Sequence, residues 1–334
     1  MNMIEVDGSF GEGGGQVLRS AISLSAILGK SVRITGIRKN RPRPGLSPQS
    51  LNSIKLVQEM TGAKAEGLVP GSSELTFIPG TIKGGNYSLN VGTAGSITII
   101  LQCVLPVACF APGPVSLNIT GGTDVKWAPP FDYFKNVTLK ALGEFGVNAD
   151  VSLVRRGFFP RGGGSVVLNV MPSTIRKASI LQPEGTEVTG VSSSSRLPPH
   201  VVERQADSAR KYLGSRGIRL GDIRLDIRED DSTGSCITLF KGFLGSSSLG
   251  ERGVSAEKVG MQAAERIYNE ITSGAAVDSH LADQLIPYMA LAEGSSIINS
   301  GPITSHTRTN MHVVELMTGR KFDTENNGRI SIRS

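Results

Sequence analysis

Residues Asp7–Leu28 read DGSFGEGGGQVLRSAISLSAIL, a glycine-rich turn followed at once by an amphipathic segment. Apolar residues recur at helical spacing in the second half, which predicts a helix over Gln16–Leu28. The β-branched stretch Ser31–Gly36 predicts a strand that ends in glycine, and the next amphipathic stretch predicts a second helix near Pro48–Met60. This part of the chain therefore predicts a helix–strand–helix unit whose first helix opens on a glycine-rich turn.

The same order of elements returns twice. The second copy is Ser96–Phe110, Val115–Gly121 and Pro130–Phe145 with a strand at Val147–Val154, and the third is Asp283–Ala292, Ser296–Gly301 and Thr309–Met317. Each first helix follows a polar or glycine-rich turn, and helix N-termini carry free N–H groups at the positive end of the helix dipole. Several N-termini that converge would form a polyphosphate site. The alternative is that the repeats are only a scaffold.

Residues 182–277 do not follow this rhythm. The predicted elements are strands at Glu187–Ser192, Ile223–Ile227 and Cys236–Lys241, helices at His200–Leu213 and Ser255–Ile271, and a loop at Gly245–Gly250. We interpret this block as a smaller α/β domain inserted into a large domain that comprises residues 1–181 and 278–334.

Composition limits the class of protein. With 39% hydrophobic and 19% charged residues in 334, the chain is typical of a globular protein. The longest apolar run, Ile97–Ala111, is shorter than the roughly 20 residues that a membrane helix needs. The N-terminus lacks a signal-peptide pattern, and Cys103, Cys109 and Cys236 have neither disulfide-framework nor zinc-knuckle spacing. We expect a cytoplasmic protein with no membrane partner.

Positive charge favours a polyanionic partner. The formal net charge is +6, and the run from Arg33 to Arg43 contains five basic residues and no acidic one. Pro42 and Pro44 stiffen this run, which suits recognition of phosphates by arginine side chains. The alternative is a solvated basic loop.

The glycine-rich turn carries one carboxylate. Glu12 would repel an anion unless a cation lies between them, and a Mg²⁺ ion held by Glu12 and phosphate oxygens resolves that conflict. Arg19 follows on the predicted helix and could face the same ligand. The turn is neither a Walker A loop nor a dinucleotide-binding fingerprint.

His306 lies between a predicted strand and a predicted helix, beside Arg308. A neutral imidazole can attack phosphorus, so His306 is the candidate nucleophile. The alternative is an ordinary surface histidine. His312 and Glu315, three residues apart on a helix, could bind a metal, but no third ligand is evident and we favour a structural role.

Seven motifs in order along the chain resemble the RNA 3'-terminal phosphate cyclase family. They are DGSFGEGGGQVLRSAISLS (7–25), RKNRPRPGLSPQ (38–49), GTAGSITIILQ (92–102), TGGTD (120–124), GFFPRGGG (157–164), HLADQLIPYMALA (280–292) and SHTRTNMHVVE (305–315). The resemblance implies an α/β (α+β) fold, in which a large domain of repeated two-helix/four-stranded-sheet units carries a smaller thioredoxin-like α/β domain.

The resemblance also implies the activity: ATP-dependent conversion of an RNA 3'-phosphate to a 2',3'-cyclic phosphate. The expected intermediates are a histidyl-AMP and an RNA-pp-A end, with release of pyrophosphate and AMP. ATP is then the co-substrate, Mg²⁺ or Mn²⁺ the metal, and RNA with a 3'-phosphate end the partner. A homodimer is an assembly that we allow for.

The resemblance assigns roles to individual residues. His306 matches the histidine that accepts AMP, and Glu12 matches the glutamate near the metal and phosphates. Arg19 and Arg41 match arginines near the phosphates or the RNA end. The positions that match ATP contacts are Gln102, Pro129 beside the adenine, and His280, Leu281, Ala282, Asp283 and Gln284. Family members have Tyr where this chain has His280, which implies a different stacking on the base.

Three other functions compete with this one. A non-enzymatic ribosome-assembly factor of the same fold would lack the histidine, and His306 together with Glu12 and Arg19 argues against it. An enolpyruvyl transferase, built from similar repeats, needs no histidine nucleophile. A generic RNA-binding α/β protein would bind RNA without consuming ATP.

Overall fold

The computed structural model describes residues 3–333 of the protein. The first repeat contains β1 (Ile4–Asp7), α1 (Gly15–Leu28), β2 (Val32–Thr35), α2 (Pro48–Thr61), β3 (Lys64–Glu66) and β4 (Leu75–Ile78). Its sheet has the order β1-β2-β4-β3, with β1 and β2 parallel and the other neighbours antiparallel. The two helices pack against each other, and each buries an apolar face, which includes Leu18 on α1 and Val57 on α2.

The second repeat follows the same plan. It contains β5 (Gly85–Asn90), α3 (Ile97–Cys109), β6 (Val115–Gly121), α4 (Phe131–Tyr133), a π-helical turn (Phe134–Thr138), α5 (Leu139–Glu144), β7 (Asn148–Arg155) and β8 (Gly164–Met171). The order β5-β6-β8-β7, again with a parallel first pair, repeats that of the first sheet. The predicted second helix is thus one helical segment interrupted by a π-turn.

After β9 (Ser179–Ile180) the chain leaves the repeat pattern. It forms β10 (Val188–Ser195), α6 (His200–Gly214), β11 (Leu220–Arg228), β12 (Gly234–Lys241), β13 (Leu244–Leu249) and α7 (Ala256–Thr272). The sheet order is β11-β10-β12-β13, and α6 packs against α7 over a hydrophobic cluster of its own. The domain bounds 182 and 277 stay a prediction.

The third repeat takes its first strand from before this block. It adds α8 (Ser279–Leu291), β14 (Ile297–Asn299), α9 (Ser305–Thr318), β15 (Lys321–Thr324) and β16 (Arg329–Arg333). The sheet order β15-β16-β14-β9 has β9 and β14 parallel and the rest antiparallel, as in the first two repeats. The predicted fold class, α/β (α+β) with repeated two-helix/four-stranded units, is confirmed.

One predicted loop is wrong. Gly245–Gly250 was expected to be irregular because it is rich in glycine and serine, yet Leu244–Leu249 pairs with β12 as an edge strand. Its serine hydroxyls find partners on α7, since Ser246 Oγ donates to the Ala263 carbonyl at 2.7 Å. Satisfied hydroxyls remove the cost of burying these polar side chains, and the small residues let α7 lie close to the strand.

A buried ion cluster joins the repeats to the inserted block. The Arg156 side chain, with no exposed surface, forms ion pairs with Asp124, Asp132 and Asp226 at 3.1, 2.6 and 2.7 Å. Burial opposes its charge, but the three carboxylates outweigh burial and hold the pKa of Arg156 above its ordinary value. Because Asp226 lies on β11 and Asp132 on α4, this cluster fixes the block beside the second repeat.

The central helices come from all three repeats. Helix α1 packs against α9 and α3, and α9 packs against α8. The N-terminal ends of these helices therefore come from sequence positions far apart. None of the helices within residues 3–333 combines the length and the apolar character of a bilayer-spanning segment.

Candidate active site

A cleft of about 1070 Å³ opens between the central helices and the strand–helix pair β13 and α7. Its walls come from the N-terminal ends of α1, α8 and α9, from one side of α3, and from the loop at residues 125–130. Polar residues from every repeat and from the inserted block therefore face one space.

Most of the residues assigned from the sequence line this cleft, and two do not. Leu281 and Ala282 are 0% and 1% exposed and belong to the hydrophobic core behind the cleft. Their neighbours on α8 point the other way because a helix turns by about 100° per residue. The assigned residues that line the cleft are Glu12, Arg19, Arg41, Gln102, Pro129, His280, Asp283, Gln284 and His306.

The His306 imidazole is held at both ring nitrogens. Residue 306 is the second residue of α9, whose N-terminus is capped by Thr304 Oγ1, which accepts from Thr307 N. Nδ1 lies 3.0 Å from Gln16 Oε1, and Nε2 lies 2.9 Å from Glu12 Oε2. Half of the side chain is exposed, so the ring is fixed in direction but open to the cleft.

The Gln16 amide keeps a proton on Nδ1 of His306. Gln16 Nε2 donates to Asp283 Oδ2 at 2.8 Å, and this bond points the amide oxygen at His306. An amide oxygen only accepts, so His306 Nδ1 must be the donor. Nε2 is then the nitrogen that faces Glu12 and the open cleft, and its lone pair becomes available when its proton leaves.

Asp283, which is half-buried, is the inner end of this line of hydrogen bonds. Burial raises the pKa of its carboxyl group, and the nearby charges of His306 and Arg19 oppose that rise. Its backbone oxygen accepts from Asn310 Nδ2 at 2.5 Å, which ties α8 to α9. The line Asp283–Gln16–His306 thus joins α8, α1 and α9 by side-chain hydrogen bonds.

Three donor groups surround the Glu12 carboxylate. Its carboxylate accepts from Ser305 Oγ and approaches His306 Nε2 at 2.9 Å and Arg41 Nη2 at 3.5 Å. The flanking Gly11 and Gly13 have φ of 59° and 54°, a left-handed conformation that favours glycine. The glycine-rich turn therefore places one carboxylate directly at the exposed ring nitrogen.

A candidate anion site lies beside this carboxylate. The N-cap residue of α1, Gly14, has no side chain to cap the helix, so the first N–H groups stay available. Two guanidinium groups lie near: a Cβ on Gly14 would be 3.2 Å from Arg41 Nη2, and a Cβ on Gly15 would be 3.3 Å from Arg19 Nη1. Donors and positive charge therefore meet at the start of α1.

Arg19 lacks a counter-charge in direct contact. Its guanidinium forms no hydrogen bond or ion pair with any residue between 3 and 333, although the side chain is half-buried. Burial lowers the pKa of Arg19 below its ordinary value. A half-buried, unpaired cation is costly unless an anion binds to it, which supports a phosphate ligand here.

The second histidine candidate has a structural role. His312 stacks on Phe10, with the ring centroids 3.8 Å apart. Glu315 accepts from Phe322 N at 2.9 Å and pairs with Lys321 at 3.1 Å. Their side chains are thus occupied, and the part of the chain that the structure describes holds no cluster of three or more His, Cys, Asp or Glu side chains suited to a metal.

Residues that the sequence did not single out complete the site. Gln16 orients the imidazole, Asn310 bonds Ser20 and the Asp283 backbone, and Ser305 bonds Glu12. One signal was available: Gln16, Arg19 and Ser20 put polar groups on one face of α1, a helix rich in buried apolar residues. The partners of Gln16 and Ser20 lie more than 250 residues away, so only the folded chain reveals them.

Comparison with known proteins identifies the family. The model of the family described as RNA 3'-terminal phosphate cyclase matches residues 10–324. The chain is 49% identical over 325 residues to the RNA 3'-terminal phosphate cyclase of Archaeoglobus fulgidus, covering 97% of this chain and 98% of the relative. Identity to the proteins of the same name from Methanosarcina mazei and Pyrobaculum aerophilum is 47% and 44%, with at least 96% of each chain covered.

One solved structure of another enzyme shows a weak similarity. The crystal structure of the enolpyruvyl transferase NikO from Streptomyces tendae aligns with a TM-score of 0.31 at 15% identity, over 52% of this chain and 33% of that one. A similarity this low does not bear on activity. The family match spans the glycine-rich turn, the cleft and the histidine, and the chain belongs to the RNA 3'-terminal phosphate cyclase family.

Proposed function

We propose that the protein uses ATP to convert an RNA 3'-phosphate to a 2',3'-cyclic phosphate, with His306 as the residue that takes up AMP. The observation that carries this proposal is the His306 ring, held between Gln16 Oε1 at 3.0 Å and Glu12 Oε2 at 2.9 Å beside an anion site. A histidine so oriented and open to a cleft fits a nucleophile rather than a structural residue.

The first step is attack on ATP. The proton on Nε2 passes to the Glu12 carboxylate, and Nε2 forms a bond to the α-phosphorus while the bond from that phosphorus to the bridging oxygen breaks. Pyrophosphate leaves with the electron pair of that bond, and His306 carries AMP. Gln16 keeps the proton on Nδ1 throughout, so the ring attacks from a fixed direction.

Electrostatic stabilisation comes from the groups at the start of α1. The free N–H groups near Gly14 and the guanidinium groups of Arg19 and Arg41 offset the charge of the phosphates. Gln102, Pro129 and His280 are the residues that we assign to the nucleoside part of ATP, since they line the same cleft.

A divalent cation, Mg²⁺ or Mn²⁺, fits beside Glu12. Mg²⁺ is held in proteins by one or two carboxylates together with substrate phosphates, and Glu12 is the carboxylate beside the anion site. Glu12 would hold the ion. When bound, the ion supplies neutralisation of phosphate charge.

Two further steps complete the reaction. An oxygen of the RNA 3'-phosphate attacks the phosphorus of the histidyl-AMP, and the bond to Nε2 breaks, which gives RNA-pp-A. The neighbouring 2'-OH then attacks the 3'-phosphorus, loses its proton and expels AMP. This last step is intramolecular and closes a five-membered ring, so proximity alone favours it strongly. A cytoplasmic location and a homodimer stay predictions.

Labelling tests the nucleophile. Incubation with ATP labelled at the α-phosphate should label the protein, and His306→Asn should abolish the label. His200→Asn changes an exposed histidine at the start of α6 and is the matched control. A label retained in His306→Asn would move the nucleophile to another residue.

A modified RNA tests the last step. An RNA with a 2'-deoxy 3'-terminal nucleotide and a 3'-phosphate should accumulate as the adenylylated end, because the attacking hydroxyl is missing. The matched ribose-ended RNA should give the cyclic phosphate. Efficient release of AMP from the 2'-deoxy substrate would contradict the role of the 2'-OH.

A further inference from the structure

Trp127 is a tryptophan that the site described so far does not use. It is the only tryptophan in the sequence, its side chain is 95% exposed, and it lines the cleft that contains His306. Within residues 3–333 it takes part in no hydrogen bond and no ring contact. The largest apolar side chain of the protein is thus presented to solvent at the edge of the cleft.

Its backbone conformation is also unfavourable. Trp127 has φ 65°, in the left-handed region that favours glycine, and bulky residues rarely occur there. A glycine at this position would be free of that strain and would expose no apolar surface. Folding therefore gives no reason for an indole here, and such outliers are typical of binding sites.

A second exposed aromatic residue lies on the loop joined to this one. Phe159 is 75% exposed, and among described large apolar side chains only Trp127 is more exposed. The two loops meet at a parallel bridge between Asp124 and Phe158, and Gly157 O accepts from Thr123 N at 2.8 Å. Because the bridge is parallel, both loops leave it in the same direction, towards the residues that carry the two rings.

Cations accompany both rings. Lys126, half-exposed and paired with Glu251 at 2.9 Å, precedes Trp127, and Arg161 lies two residues after Phe159, where it donates to the Asp231 carbonyl. Arg266, from α7, lines the cleft opposite. Exposed aromatic rings interleaved with positive charge are the pattern that binds single-stranded nucleic acid, since every base has a face that can stack.

We propose that Trp127 is a stacking platform for a base of the RNA strand next to its 3'-phosphate end. That the bound nucleic acid is RNA with a 3'-phosphate end rests on the proposed function. Adenine of ATP is the other base that could stack, but Gln102, assigned to ATP, also lines the smaller cavity beneath the cleft. On this basis we assign the nucleotide to the inner part of the cleft and the fully exposed ring to the RNA strand.

Because Trp127 is the only tryptophan in the sequence, its fluorescence reports directly on binding at this ring. Titration of the wild-type protein with a short single-stranded RNA that ends in a 3'-phosphate should quench the Trp127 emission, whereas ATP alone should leave it nearly unchanged. Quenching by ATP without quenching by RNA would overturn the proposal in favour of adenine stacking, and no quenching by either would overturn it outright. Failure of the proposed function would appear separately, as a protein that binds RNA but takes no label from ATP.

Substitutions separate binding from folding. Trp127→Gly suits φ 65°, so its Tm should stay within about 3 °C of wild type. Its KM for RNA should rise about tenfold or more, as expected for loss of a stacked base, while adenylylation measured without RNA keeps its rate. Trp127→Phe should recover most of the affinity.

Met171→Ala is the matched control, because Met171 is 46% exposed on β8 and lies outside the cleft lining. Its KM for RNA should equal that of wild type. An unchanged KM in Trp127→Gly would refute the role of the indole, and an equal rise in Met171→Ala would show that the effect is not specific to the ring.

Discussion

Replacing Asp283 by Asn should place the His306 proton on the wrong nitrogen. In the wild type, Asp283 Oδ2 can only accept, so it holds the Gln16 amide with its oxygen towards His306 Nδ1. An Asn side chain offers an NH₂ as well as an oxygen, which lets the Gln16 amide turn over. Gln16 would then donate to Nδ1, and Nε2, already next to the Glu12 carboxylate, would keep its proton and lose its nucleophilic lone pair.

The expected loss of the reactive tautomer follows from the strength of the hydrogen bond between Gln16 Nε2 and Asp283 Oδ2. A hydrogen bond to a charged group is worth about 1.5–3 kcal/mol, and each 1.4 kcal/mol is about tenfold in a population or a rate. The reactive tautomer should therefore become about 10 to 150 times rarer. The affinity for ATP should change less than this, since the ring and the anion site stay in place.

The assay is single-turnover adenylylation with α-labelled ATP at saturating concentration, measured over a range of pH. Protonation of Asp283 has the same consequence as the substitution, because a protonated carboxyl can donate. Burial raises the pKa of Asp283, so the wild-type rate should fall with decreasing pH at a higher pH than an ordinary carboxyl group would give. The variant should lack this acidic limb.

A matched control removes a carboxylate elsewhere: Asp207→Asn on α6, where the side chain is 75% exposed, should label at the wild-type rate. Labelling of Asp283→Asn at the wild-type rate, with an unchanged pH profile, would refute the tautomer argument. A large rise in KM for ATP with an unchanged maximal rate would instead make Asp283 a residue for nucleotide binding.

Three other substitutions test separate features. Arg19→Met should raise the KM for ATP about tenfold or more, and should not lower the free energy of unfolding in urea, because it removes a half-buried cation without a direct partner. Arg156→Met should lower the free energy of unfolding in urea by about 3–5 kcal/mol, since it leaves the buried Asp124 and Asp132 without their counter-charge. Burial raises the pKa of Asp278 to about 6, so the folded state loses stability as pH rises through that value and the carboxyl group ionises. Asp278→Asn cannot ionise and should remove this loss of stability, measured as Tm in thermal unfolding from about pH 4 to about pH 8.

Local patterns were sufficient for most elements. Helices with a clear apolar stripe lie where predicted, such as α6 at His200–Gly214 and α7 at Ala256–Thr272, whereas α9 begins at Ser305, before the predicted start at Thr309, and so includes His306. The short, poorly patterned strands were harder: β13 was predicted as a loop because glycine and serine favour turns, and its pairing with β12 is a long-range interaction that local propensity does not carry.

The candidate site divides in the same way. The family motifs drew attention to His306, Glu12 and Arg19, and the structure brings their side chains to one cleft. The same motif pointed equally to Leu281 and Ala282, which the rotation of α8 turns into the core. Leu281 and Ala282 are next to Asp283 in the sequence, but their side chains face the core and not the cleft.

The amino-acid sequence by itself indicated the repeated helix–strand units and the family, and it predicted an inserted block, because periodicity, turn residues and motifs are local features of the chain. The tertiary structure alone decided which polar groups meet. Gln16 and His306 are 290 residues apart, and their hydrogen bond exists only because α1 packs against α9. The proton position on the imidazole follows from that contact, since hydrogen-bond partners fix a tautomer and a linear sequence does not specify them.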